Sequence, residues 1–341
     1  MPQTRFSAPA LLAALMLAFS TAFAQQPPAK GNEWKLSAAV GPAFALGAAA
    51  DHWARHIAER SGDKLAAKLY PGAALADRDA LREFTALSMG TADLAIGSSL
   101  LWSTQIPELN VIGLPWIAPD MKALDALLTV AMKERLDVAI ERAGAIPLAY
   151  AALGLRSLAT TTSGAQTPEA LKGLKLRIGP NPLVADLLIA LGAEPKTMAF
   201  ADAQAALKAR MLDAQEGTLA TITASRIDAL GVKHVLVWGA TGEIAIFAAN
   251  RAFWNRLSAA DQAIVREAAN AAAAELPALV AAENDGAIAE LSKRGVTVTR
   301  LTASGRAAFA FAARSAYEKW EAVAGADLVR AAEAAVAAMP Q

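Results

Sequence analysis

The 341-residue chain has no cysteine, equal numbers of basic and acidic residues, and a 55% hydrophobic content. That composition excludes a disordered chain, and the length predicts two lobes rather than one core. Zero net charge and scattered aromatics argue against a nucleic-acid partner, which requires a basic face. Without cysteine there are no thiolate metal sites, thiol nucleophiles or redox pairs.

The first 24 residues read as a signal peptide: Arg5 is a positive start, Ala10 to Phe19 an apolar run, and Ala22-Phe23-Ala24 an A-x-A cleavage pattern. The run is too short to span a bilayer, although a short membrane anchor is the competing reading. Residues 25–32 form a polar leader. Nothing further along resembles a membrane span, so the processed protein is expected to be soluble.

From Glu33 the pattern alternates between strands and helices. Trp34, Leu36 and Ala38 share a strand face, followed by a turn at Gly41-Pro42. Residues 47–60 read as a helix stopped at Ser61-Gly62. A strand over 64–70, a helix over 79–89 and a strand over 92–96 complete an α/β lobe with a largely parallel sheet. Asp120 caps a helix expected to run to Ala143. Strands follow over 145–151, 155–160 and 174–178. Asn181-Pro182 opens a helix ending at Gly192, and a strand over 196–199 leads into a helix over 202–212. Two strands lie near 233–238 and 243–249. Ser258 starts a long helical stretch in which Pro277 predicts a kink. The last strand covers 296–301, and helices run to about 338.

With no low-complexity linker, the pattern predicts two intertwined α/β lobes with a ligand cleft between them. Residues 33–150 are assigned mainly to the first lobe and 151–250 mainly to the second. Residues 251–341 form a helical region packing on both.

No G-x-S-x-G elbow, Walker loop or G-x-G-x-x-G is present, so no catalytic residue is assigned and the chain is read as a non-enzyme. His52 and His56 are four apart on one helix and could share a metal, but a third ligand at recognisable spacing is missing. They read as partly exposed histidines, and neither a metal nor a cofactor is assigned. Arg177 is the leading binding candidate. It lies at the end of a strand, just before Pro180-Asn181-Pro182 opens a helix. A guanidinium fork beside a helix N-terminus suits a carboxylate. A solvated strand-edge arginine is the plainer alternative.

The segment from Thr167 to Arg177 resembles the solute-binding subunits of TRAP transporters, of the DctP type. The same resemblance runs through Leu191-Gly192-Ala193, Met198-Ala199-Phe200 and Asp213-Ala214-Gln215-Glu216. Upstream it takes in Tyr70-Pro71-Gly72, Gly90-Thr91-Ala92-Asp93 and Leu114-Pro115-Trp116; downstream, Asn250-Arg251-Ala252-Phe253-Trp254. The order and spacing of these segments carry it, and it covers essentially the whole processed chain.

The resemblance implies a two-lobed periplasmic binding protein with crossing strands and a long linking helix. It implies a monomer that captures a small organic acid and delivers it to integral membrane permease subunits driven by an ion gradient. Service to a sensor or an ATP-driven importer, or a periplasmic enzyme, are the alternatives. The family's carboxylate-binding arginine falls on Arg177 and a second basic contact on Arg156. Phe200 matches a pocket aromatic, and Asn181, Gln215 and Thr218 join the expected ligand set. Phe44 and Trp102 are assigned to the other lobe's lining by rough position. One departure is Gly217, where the family usually carries an asparagine, so a polar contact is lost or supplied elsewhere.

Overall fold

The computed structural model describes residues 33–163, 165–198 and 200–339, with the side chains of Phe200 and Ala201 not described. The expected signal peptide and leader lie outside these residues. No helix among the described residues is long and apolar enough to cross a membrane.

Among the described residues there are eleven strands. They are β1 (Trp34–Ala38), β2 (Ala67–Pro71), β3 (Leu94–Ser98), β4 (Ala145–Leu155), β5 (Ser157–Thr160), β6 (Lys175–Ile178), β7 (Glu194–Thr197), β8 (Ala214–Gly217), β9 (His234–Val237), β10 (Gly242–Asn250) and β11 (Thr297–Arg300). They form a five-stranded sheet of order β2-β1-β3-β10-β4 and a six-stranded sheet of order β11-β9-β5-β8-β6-β7. These sheets are the centres of two lobes.

The chain crosses three times between the sheets, twice strand to strand and once through the helices that lead from β10 to β11. β4 passes directly into β5 through Arg156, and β9 returns into β10. The returning strand runs against β3, so the first sheet is mixed rather than largely parallel: β1 pairs in parallel with β2 and β3, while β10 is antiparallel to β3 and β4. β4 carries the 150 position in its middle, and β10, within 151–250, sits in the first sheet.

The helix Ala259–Lys293 has 35 residues and so extends about 50 Å. Val265, Ala268, Ala272 and Leu276 enter the core of the first lobe, and Ala287 and Leu291 enter that of the second. It therefore ties both lobes together. Ser258 Oγ caps it by accepting from Asp261 N at 3.1 Å, and the helix continues through Pro277.

Several boundaries differ from the sequence pattern. The helix expected over 120–143 is two helices, Met121–Ala126 and Val130–Arg142. Thr129 restarts it by accepting from Met132 N at 3.2 Å. β8 and the following helix Leu219–Ala224 were not anticipated. β8 reads AQEG and is buried at every position, so its polar side chains conceal a strand that only its neighbours β5 and β6 define.

Candidate functional site

A cavity of about 190 Å³ opens between the lobes. Its walls come from the chain just after β1 (Ala39, Val40), β3 (Leu100, Leu101), β6 (Gly179, Pro180, Asn181) and β8 (Thr218, Thr221). The crossing strands add Leu153, Leu155, Arg156 and Glu243, and the long helix adds Glu283 and Asn284. Loops at strand ends meeting across a topological switch are where ligands bind in such sheets.

Arg156 sits at the crossing point of β4 and β5. Its Nε and Nη2 donate to the two oxygens of Glu216, the latter at 2.7 Å, and its Nη1 donates to Glu243 Oε1 at 2.7 Å. Glu243 Oε2 accepts from the hydroxyl of Ser98. The two carboxylate side chains are only 2% and 6% exposed, so this is a buried network spanning both sheets. Burial pulls the Arg156 guanidinium down, but Glu216 and Glu243 more than reverse that and hold it above the ordinary arginine value.

Arg177 lies on β6 in register with Gln215 on β8. Paired residues of neighbouring strands project to one sheet face, so the two side chains leave the sheet on the same side. Arg177 donates from Nε and Nη2 to the Met198 carbonyl at 3.2 and 3.1 Å. Burial lowers its pKa from the ordinary value and the Arg156 charge adds to this, with Glu216 opposing. Gln215 is 1% exposed, and neither its Oε1 nor its Nε2 has a hydrogen-bond partner. Neither Arg177 nor Gln215 is among the cavity-lining residues, although both strands run straight into its wall.

The other expected site residues divide. Phe44, Asn181 and Thr218 line the cavity with Arg156. Asn181 Oδ1 accepts from Val184 N at 3.1 Å and its Nδ2 donates to the Leu100 carbonyl at 2.7 Å. It thus caps a helix of one lobe while bonding to the other. Thr218 Oγ1 caps the helix Leu219–Ala224 by accepting from Thr221 N at 3.2 Å. Trp102 is fully buried in the core and is not part of the lining. Its indole lies over Gly97, where a Cβ would approach within 2.0 Å, and beside Phe84 at 5.0 Å between centroids. The Phe200 side chain lies outside the described residues. At Gly217 a Cβ would meet Thr221 Oγ1 at 2.9 Å, so the missing asparagine leaves no empty space.

His52 and His56 do not converge on a third ligand at metal distance. They share one carboxylate instead: His52 Nδ1 is 2.5 Å from Glu275 Oε2 and His56 Nε2 is 2.9 Å from Glu275 Oε1. Burial raises the Glu275 pKa, but the two imidazoles outweigh that and leave it below the ordinary carboxylate value. Among the described residues no group of three or more His, Cys, Asp or Glu side chains could hold a metal ion.

The sequence pattern did not single out Glu216, Glu243 or Glu283 as cavity residues. Glu243 is detectable, because it is the one charge in the apolar run of β10. Glu283 accepts from Ala45 N at 2.8 Å, capping the helix Ala45–Ser61, which has no side-chain cap of its own. Burial raises its pKa, with the Ala45 N–H opposing.

A family model described as DctP, bacterial extracellular solute-binding protein, family 7, matches residues 36–322. A periplasmic solute-binding protein of a TRAP system from Ralstonia eutropha, solved with bound (S)-2-acetolactate, is 37% identical. It matches 90% of this chain and 99% of its own, with a TM-score of 0.85. A solute-binding protein of Verminephrobacter eiseniae is 29% identical over 74% of each chain. The C4-dicarboxylate-binding periplasmic protein DctP of Vibrio cholerae is 26% identical over 85% of this chain and 86% of its own.

Proposed function

Because the chain belongs to family 7 of the bacterial extracellular solute-binding proteins, we propose that it captures a small organic acid in the periplasm and presents it to the membrane subunits of a TRAP permease. In this reading it acts as a monomer, reaches the periplasm through a cleaved signal peptide, and performs no chemistry on its solute. Its work is binding and release.

The observation that carries the carboxylate reading is the pairing of Arg177 with Gln215. A buried amide without partners costs about 1–3 kcal/mol per unsatisfied group. Such a group beside a guanidinium suits an anion: the carboxylate accepts from the guanidinium and from the Gln215 Nε2. Closing the lobes around the bound acid excludes water, which strengthens the ion pair. The Arg156 network, spanning both sheets, holds the floor on which the lobes move.

Thermal unfolding tests this. The protein, unfolded and refolded to strip co-purified solute, is heated with mono-, di- and oxo-acids. An acid at a hundred times its dissociation constant adds about 2.7 kcal/mol of stability, a rise of roughly 5 °C or more in the midpoint. A rise that disappears in Arg177→Ala supports the reading. No rise with any acid counts against it.

A further inference from the structure

We infer that the solute is a small monocarboxylate with an aliphatic body, and that the site is built against dicarboxylates and sugar acids. This rests on the carboxylate reading above and narrows it.

The charge of the lining is the first argument. Arg156 is the one lysine or arginine among the described residues that line the cavity, and Glu216, Glu243 and Glu283 line it too. The guanidinium is already held by two carboxylates, with three of its N–H groups spent on them. Glu283 lies in the same wall and accepts from Ala45 N. Arg177 stands beside this wall, within the electrostatic reach of Arg156 and Glu216. One incoming carboxylate meets one further cation. A second carboxylate meets a wall whose cation is committed and whose remaining charges are negative, and a desolvated like-charge contact is an effective way to reject a competitor.

The rest of the lining is the second argument. Val40, Leu100, Leu101, Leu153, Leu155 and Val184 present hydrocarbon. A polyhydroxylated acid would press hydroxyls against this hydrocarbon, whereas a branched aliphatic body gains from the same surface. Of the amides and hydroxyls in the wall, Asn181 and Thr218 cap helices, Thr221 donates to the Thr218 carbonyl and Ser98 to Glu243, which leaves Asn284. The cavity volume, about 190 Å³, lies below the roughly 300–1,000 Å³ of drug-sized ligand sites.

Isothermal titration calorimetry on the refolded full chain decides it, with 2-hydroxy-3-methylbutanoate, succinate and glucuronate as probes. The monocarboxylate is expected to bind at least about tenfold tighter than either of the others, a gap within reach of unpaired buried charge. Succinate or glucuronate binding within tenfold of it, or tighter, overturns the inference and leaves the carboxylate reading standing. If none of the three binds, the inference and that reading fall together. In Glu243→Gln, which returns part of the Arg156 charge to the cavity, the gap to succinate is expected to narrow several-fold. An unchanged gap overturns the charge argument. Should that variant fail to fold, the wild-type comparison alone decides.

Discussion

Arg156 grips Glu216 with two N–H groups, the Nη2–Oε2 arm at 2.7 Å, across 60 residues of sequence and at the point where the chain passes from one sheet to the other. Glu243, on the strand that returns to the first sheet, takes the third N–H. The two crossing strands are therefore clamped together by charge beneath the cavity. Arg156 and Arg177 thus differ in setting: the first is held between two carboxylates in the cavity wall, while the second lies in register with a buried amide.

Arg156→Ala should be destabilising before it is anything else. It leaves two buried carboxylates uncompensated, for which about 3–5 kcal/mol is the usual loss. Denaturant melts should show a lower midpoint at neutral pH. A variant as stable as the wild type would mean that the network is not part of the folded floor.

Glu83 supplies a pH test. Burial pushes its carboxyl up to about 8, with the Ser37 hydroxyl opposing. Ser37 Oγ donates to Glu83 Oε1 at 3.1 Å, but Glu83 Oε2 and Trp102 Nε1 each lack a hydrogen-bond partner. The folded state thus holds a proton that the unfolded state releases near the ordinary carboxyl value of 4.5. Stability from this group is complete below that value and is lost as pH rises towards about 8. Glu83→Gln, neutral throughout, should melt close to the wild type at pH 5. At pH 8 it should melt above it by at least roughly 2–4 °C, equivalent to about 1 kcal/mol. Parallel curves for the two proteins would contradict the assignment.

Asn181 connects the lobes through one side chain. Removing its cap costs about 0.5–2 kcal/mol, and Asn181→Ala also leaves the buried Leu100 carbonyl without its donor. A total loss of about 1–3 kcal/mol is expected. Asn181→Ser retains an acceptor for Val184 N and loses the donor to Leu100, so its midpoint should fall between those of the wild type and Asn181→Ala. A Ser variant as unstable as the Ala variant would show that the cap contributes little.

Much of the fold could be read from the sequence because it rests on local signals. The alternation in β1, the Asn181-Pro182 start and the Ser258 cap all depend on neighbours within a few residues, and the structure has each of them. What could not be read depends on distant partners. β8 is a strand because β5 and β6 flank it, not because AQEG alternates. The Glu216 and Glu243 partners of Arg156 lie 60 and 87 residues away, with no spacing to reveal them. Trp102 illustrates the same limit: its position after β3 suggested the cleft, but the missing side chain at Gly97 lets the indole fold back into the core.

The most direct test of the account is the dissociation constant of the best-binding acid, measured by calorimetry on the wild type and on Arg177→Ala. Losing a buried charged hydrogen-bond partner costs about 2–5 kcal/mol of binding, so the variant should bind at least about 30-fold more weakly. An Arg177→Ala variant that binds the acid as tightly as the wild type would contradict the assignment of Arg177 as the carboxylate anchor.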